Sequence, residues 1–387
     1  MSYLLAYNLV IAAITIALAL VSIYNLRRFA RMPSSKGLSV APDETLVSIL
    51  VPARNEERCI EACVRSLCEQ DHKNTEVIVL NDASTDATGE ILSRLTGEFP
   101  HLRVIEGAPL PNGWVGKSWA CQQLSIQARG ETLIFTDADT THRPDMVRRA
   151  RAYMTQNNIA LFSLVPYQVL GSIGEHIVIP MVHVLYFAYL PNDLILQNKR
   201  VSLSAANGQF MCFTRDAYEK VGGHESVRST LVEDVFLAKE VKRAGLRIAL
   251  VDGTDAVECR MYTNAREVTE GFSKNFFPAT NYNLPLTVLF LVHVLTTYVL
   301  PLPMAVYGFV IGDDRIMGLA LLQLGLGALI RLLISKRFSM PWWHMFLQPL
   351  TGLWSTIIGV NSIRWAYSRT GSRWKGRSYD TKGQSHA

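Results

Sequence analysis

The sequence predicts an α/β domain built on a mostly parallel sheet and joined to membrane helices at both ends of the chain. Three observations predict it. Short unbroken apolar runs, Val47–Val51, Val77–Leu80 and Leu133–Phe135, alternate with stretches of helical periodicity, as in strands covered on both faces. Each run ends in a polar loop that carries a carboxylate or an amide. Long apolar segments precede and follow this region, each extended enough to compete for a hydrocarbon core roughly 30 Å thick.

Composition agrees with that division. At 387 residues, 49% hydrophobic and 18% charged, with mean hydropathy +0.15, the chain is too long for one small core and too apolar for an ordinary soluble enzyme. The formal charge is +5, but the basic residues flank apolar runs instead of covering one domain face. That placement favours anionic lipid head groups and argues against nucleic acid. The six cysteines form no CxxC pair and no cluster at zinc spacing, so they read as reduced packing residues on the cytosolic side. There are no repeats or low-complexity tracts.

Tyr3–Tyr24 is uncharged and reads as an anchor within an N-terminal segment 1–25. A cleaved signal peptide would carry a basic residue ahead of the apolar run and a small-residue cleavage site after it, whereas Asn25-Leu26-Arg27-Arg28 follows directly. Arg27, Arg28, Arg31 and Lys36 place the following domain in the cytosol. Residues 26–45 are a basic juxtamembrane linker.

From residue 46 strands and helices alternate. Val47–Val51 ends in Pro52-Ala53-Arg54-Asn55-Glu56-Glu57, and a helix capped by Asn55 is expected to bury Ile60, Cys63, Val64 and Leu67. The second strand ends in Asn81-Asp82, and Ser84-Thr85-Asp86 opens a helix with Ile91, Leu92 and Leu95 inward. Consecutive βα units imply a ligand across the carboxyl ends of the strands, so Asn55, Asp82 and Asp139 should share one rim.

The chemistry concentrates in a few places. Asp137-Ala138-Asp139, just past a strand, suits a divalent cation holding a diphosphate, although strand-end aspartates also serve as turn formers or caps. Asp82 suits either a nucleotide's base or ribose or a turn. Asp86 reads as a cap. Gly116-Lys117-Ser118 lacks the preceding glycine of a P-loop, that position being Pro111, so Lys117 meets a phosphate as a point charge or stands in solvent. Glu233-Asp234 precedes a helix expected over 235–244 and stopped by Gly245. Acidic residues there also match a helix dipole.

Asn207–Phe213 reads as a strand entered through Gly208, a residue permitting close backbone approach. Ile173–Leu196 is apolar and aromatic but interrupted, so an interfacial element or a buried core helix both fit. His176 and His183 lack a third ligand nearby. Arg266–Phe277 reads as a second interfacial element. Leu284–Ile311, Ile316–Ile334 and Trp342–Trp365 are three apolar segments, the last interrupted by Pro349 and expected to be re-entrant or interfacial, because a full crossing would put Arg369–Arg377 on the wrong side. The basic end of the chain reads equally as a lipid-bound tail.

Together, Val47–Glu56, Val77–Asp86, Thr136–Asp139 and Val232–Asp234 resemble a family 2 glycosyltransferase with a GT-A fold. Asn112–Ala120 and Trp374–Tyr379 are similar to its membrane-bound branch associated with carotenoid and hopanoid biosynthesis. The resemblance runs from about Leu46 to Tyr379. It implies a GT-A (nucleotide-diphospho-sugar transferase) domain at 46–280, one N-terminal and about three C-terminal membrane helices, a C-terminal membrane domain at 281–366 and a basic cytosolic tail at 367–387. It further implies that Pro52, Ala53, Glu56, Asp82, Lys117, Asp137, Trp374 and Arg377 bind a nucleotide-sugar donor, expected to be UDP-linked. Asp139 would bind a divalent cation, Mg or Mn, Gln209 and Glu233 would border the acceptor, and Asp234 would be the catalytic base.

The function implied is inverting, metal-dependent transfer of a sugar to a lipid or terpenoid acceptor, by a multi-pass protein of the cell membrane with its catalytic domain in the cytoplasm. A processive polysaccharide synthase is the alternative within this chemistry. Few membrane segments follow the domain, and Trp374-Lys375-Gly376-Arg377 departs from the Gln-x-x-Arg-Trp pattern of processive enzymes. A non-catalytic membrane protein that binds nucleotide or lipid is the alternative of another class.

Overall fold

The structure, a computed structural model, describes residues 3–35, 45–368, 372–374 and 377–379. It divides into two compact units, one of Ala30–Val169 and Leu194–Met261, the other of Met1–Phe29, Leu170–Asp193 and Tyr262–Ala387. The segments 170–193 and 262–280, expected within a continuous domain at 46–280, therefore group with the apolar helices.

The first unit is built on a seven-stranded sheet in the order β3-β2-β1-β4-β8-β6-β9. Its strands are β1 Val47–Ala53, β2 Thr75–Asn81, β3 Leu102–Glu106, β4 Thr132–Thr136, β6 Leu161–Val165, β8 Phe210–Thr214 and β9 Ile248–Asp252. Only β8 runs against its neighbours, pairing antiparallel with β4 and β6. The sheet is thus mixed and mostly parallel. A smaller sheet joins β5 Thr140–His142, β10 Val257–Cys259 and β7 Tyr167–Gln168. After β3 the chain returns to the far side of β1 to form β4, so the order reverses between β1 and β4. Ligands of open α/β sheets sit at the carboxyl ends beside such a reversal.

Ile60, Cys63, Val64 and Leu67 lie fully buried on the helix Ile60–Cys68, as their spacing predicts. Asn55 does not cap that helix. Its φ is +54°, a left-handed conformation that asparagine tolerates, and its Oδ1 accepts from the Thr85 N–H at 2.8 Å. The second helix likewise begins later than expected, at Thr88, because Ser84 and Asp86 are engaged across the two loops. The helix Glu233–Arg243 begins two residues earlier than expected, which puts both acidic residues inside its first turn.

In the second unit, Tyr3–Arg28 and Asp314–Arg337 are long and apolar enough to cross a membrane. The expected span Leu284–Ile311 is instead two helices, Leu284–Val299 and Pro301–Ile311, bent by 48°. Pro301 explains the bend, since it lacks an N–H and its ring clashes with the preceding turn. Pro349, expected to break the last segment, sits in the first turn of the helix Gln348–Tyr367, where proline is tolerated. Among the described residues, two helices, or three spans if the bent pair is one, are long and apolar enough to cross a membrane. Ile173–Tyr189 is a shorter apolar helical stretch. Within this unit Gln323 donates to the Asn8 carbonyl at 3.0 Å, and the buried Arg331 donates to the His176 carbonyl at 3.0 Å. Ser372–Trp374 and Arg377–Tyr379 form an antiparallel ladder.

Candidate active site

The parallel register brings Ala53 of β1 level with Asn81 of β2, so the loops that follow leave the sheet side by side. They interlock. Asn55 N–H donates to Ser84 Oγ at 3.0 Å, Glu56 N–H to Thr88 Oγ1 at 2.8 Å and Glu57 N–H to Asp86 Oδ2 at 3.2 Å. The Asp82 N–H donates to the Ala53 carbonyl at 2.8 Å, and Arg54 Nη1 donates to the Asp82 carbonyl at 2.5 Å. Pro52, Ala53, Glu56 and Asp82 therefore share one locked platform, with Asp82 only 6% exposed. Asp86 also accepts from the Thr88 N–H at 3.0 Å, but the N-cap position of that helix falls to Ala87, one residue beyond the cap expected at Asp86.

At the end of β4, Thr140 Oγ1 donates to the Asp137 carbonyl at 2.7 Å and tightens the turn. The carboxylates of Asp137 and Asp139 have different partners. Lys117 Nζ, from the first turn of the helix Gly116–Gln127, lies 2.6 Å from Asp137 Oδ1 and 2.9 Å from Glu233 Oε1. Lys117 is thus paired with two carboxylates while a third of its side chain reaches solvent. Burial by itself would lower its ammonium, but the two carboxylates hold it well above its usual value. Burial would likewise raise Glu233, yet the adjacent ammonium outweighs this and keeps it below the ordinary carboxylate range.

Asp234 is held from both sides. The Gly208 N–H donates to its Oδ2 and the Val235 N–H to its Oδ1, each at 2.8 Å. Burial, reinforced by the charge of Glu233, pushes its carboxyl up to about 6. A Cβ on Gly208 would stand 3.1 Å from Lys117 Nζ, 3.3 Å from Asp234 Oδ2 and 3.5 Å from Glu233 Oε1. The close backbone approach read from the sequence is therefore to these three charged groups.

Gln209, expected beside the acceptor, is 4% exposed, and its amide is committed within the protein. Its Oε1 accepts from Gln168 Nε2 at 2.9 Å, and its Nε2 donates to Cys259 Sγ at 3.0 Å. Cys259 in turn donates to Asp139 Oδ1 at 3.5 Å. The Gln209 side chain is thus linked to Asp139 through Cys259, on the segment expected to border the acceptor. Cys259 was read only as a packing cysteine, and no spacing in the sequence marks it. The backbones of Trp374 and Arg377 belong to the ladder in the other unit; their side chains and Lys375-Gly376 lie outside the described residues.

Among the described residues, no three or more His, Cys, Asp or Glu side chains could hold a metal ion by themselves. A magnesium-class ion commonly takes one or two carboxylates and completes its shell with substrate phosphates and water. The hard oxygen donor of Asp139, on the loop at the strand-order reversal, fits that partial set.

Residues 48–222 match the family described as Glycosyl transferase family 2. The chain is 27% identical over 259 residues to a 4,4'-diaponeurosporenoate glycosyltransferase of Staphylococcus haemolyticus (strain JCSC1435), covering 65% of this chain and 68% of that protein. It is 26% identical over 374 residues to the protein of the same name in Staphylococcus aureus (strain USA300), covering 91% and 92%. A mannosyltransferase from Pyrobaculum calidifontis, solved in complex with GDP-Man and Mn2+, aligns with TM-score 0.55 and 18% identity over 94% of this chain and 100% of its own. That last likeness concerns the fold, and the α/β unit with its mixed sheet is GT-A-like.

Proposed function

We propose that the chain is a family 2 glycosyltransferase, membrane-bound and inverting, moving a sugar from a nucleotide-sugar, UDP-linked, to a hydrophobic acceptor of the carotenoid class. The observation that carries the chemistry is Asp234, a carboxylate anchored by the Gly208 and Val235 N–H groups and pushed up to about 6. A base with that value is ionised at neutral pH and still basic enough to accept a proton. In the reaction the acceptor hydroxyl gives its proton to Asp234 as its oxygen attacks the anomeric carbon. The carbon–oxygen bond to the diphosphate breaks on the opposite face, and the bonding pair leaves with the diphosphate.

Pro52, Ala53, Glu56 and Asp82 form the nucleoside platform in this reading, and Asp137 meets the ribose beside Lys117. Trp374 and Arg377 serve the diphosphate, and Glu233 borders the acceptor. Asp139 would hold the divalent cation, which when bound neutralises charge on the departing diphosphate. The names of the staphylococcal relatives support the acceptor class, and the GDP-Man and Mn2+ of the mannosyltransferase support a nucleotide-sugar and a cation. The membrane-length helices support a membrane location, and the basic residues after Tyr24 support a cytoplasmic catalytic unit. A half-buried carboxylate with a raised pKa also favours catalysis over mere nucleotide or lipid binding.

Asp234→Asn tests the reading. Purified protein should bind donor as before and fail to label a hydroxylated terpenoid. Unchanged labelling would remove Asp234 as the base.

A further inference from the structure

A second basic site lies in the α/β unit, at the far end of the helix that Asp234 opens. The helix Glu233–Arg243 rises about 1.5 Å per residue, so Lys242 is roughly 12 Å along it from Asp234. There Ile195, Lys199, Lys242, Leu246, Arg247 and Ile248 help line a cavity of about 240 Å³. That is smaller than the roughly 300–1,000 Å³ of pockets for drug-sized ligands and suits a head-group-sized one.

Its charge is one-sided. Three cations line it, and no carboxylate does. Glu240, the nearest carboxylate on the same helix, is occupied by Arg243. Lys242 is 5% exposed and spends one donor on the Leu203 carbonyl at 2.6 Å, whereas an ammonium carries three. Burial pushes it down to about 8, the direction expected of a buried cation without a counter-charge. Lys199 and Arg247 are exposed beside it. Converging cations gain from a multiply charged anion, and a guanidinium fork matches phosphate geometry. The half-buried Leu246 offers the cavity an apolar contact beside those cations.

We propose that this cavity binds a phosphate group, independently of the donor site. The phosphate belongs either to an anionic lipid head group or to a free phosphate in solution. Lysine acetylation rates, read by peptide mass spectrometry on the full chain in lipid nanodiscs, test this. The conditions are phosphatidylcholine discs, phosphatidylcholine discs with millimolar inorganic phosphate, and discs containing phosphatidylglycerol.

Acetylation of Lys199 and Lys242 should slow about fivefold per engaged cation, while exposed Lys73 is unchanged. Slowing only with phosphatidylglycerol identifies the lipid head group. Slowing with inorganic phosphate in neutral discs identifies free phosphate, and either result upholds the site. Arg247→Gln should weaken the protection of both lysines, and Lys199→Gln that of Lys242. Equal rates in all three conditions, or protection undiminished in both variants, would overturn the proposal.

Discussion

The backbone N–H of Gly208 donates a 2.8 Å hydrogen bond to Asp234 Oδ2, joining the turn ahead of β8 to the first turn of the helix Glu233–Arg243. Because the donor is main chain, no side-chain rotamer can misplace it. The absent side chain matters as much, since it lets Lys117, Glu233 and Asp234 converge on one backbone position.

The Asp234→Asn outcome should depend on the acceptor. With a hydroxyl acceptor, loss of the base should cost about 10²–10⁴-fold in kcat. A carboxylic acid acceptor is already ionised at neutral pH, so its transfer should fall far less. Parallel assays with terpenoid alcohols and acids check this. Equal losses for both would show that Asp234 does more than remove a proton.

Gly208→Ala should lower kcat while leaving the protein folded. The new methyl group would meet a Lys117 ammonium already pinned by two carboxylates, so the charges must shift by a few tenths of an ångström. Thermal unfolding in detergent should change little compared with turnover. A kcat equal to that of the unaltered enzyme would show that the three groups need no such precision.

Acidification should switch the enzyme off through Asp234. A base is active only when unprotonated, so kcat/KM should fall about tenfold per pH unit below a midpoint near 6. The stability effect has its own sign. The folded state holds this proton more tightly than the ordinary carboxyl at 3.8, so the Asp234 contribution declines as pH rises from about 4 to about 6. Glu233, held below its usual value, acts oppositely, its contribution being lost as pH falls through that lowered value. Unfolding curves of Asp234→Asn between pH 4 and 6, and of Glu233→Gln below the ordinary carboxyl value of 4.5, separate the two.

Lys117→Met should destabilise the protein strongly, because it strands the nearly buried Glu233 beside Asp234. Breaking a buried pair costs about 3–5 kcal/mol. The low end is expected here, because a third of the Lys117 side chain reaches solvent. Adding Glu233→Gln should recover part of the loss. Additive effects would show that the 2.9 Å pair contributes no coupling.

A chelator should abolish transfer, and Mg2+ or Mn2+ should restore it. Asp139→Asn should raise the cation concentration needed for half-maximal activity, checked by titration at fixed donor. An unchanged cation requirement would remove Asp139 as the ligand.

Local pattern was enough for much of this protein. Val47–Val51 and Leu133–Phe135 could be read as strands because unbroken apolar runs imply burial on both faces, and Ile60, Cys63, Val64 and Leu67 because their spacing matches one helix face. Asp139 and Asp234 stood out through their place at element ends. Other features depended on conformation or partners. Asn55 looked like a cap but adopts a left-handed turn bonded to Thr85. Pro349 looked like a break but opens a helix, whereas Pro301 accompanies the actual bend.

The sequence by itself determined the alternation of strands and helices, the apolar segments and the carboxylates delivered to strand ends, since these follow from side-chain type and spacing along a few turns. Only the tertiary structure decided that Lys117 joins Asp137 to Glu233, that Gln209 is occupied by Gln168 and Cys259, and that Lys199, Lys242 and Arg247 share a cavity. Such groups lie far apart in the chain, and their charges and hydrogen bonds are matched only when the folded sheet and its loops bring them within a few ångströms of each other.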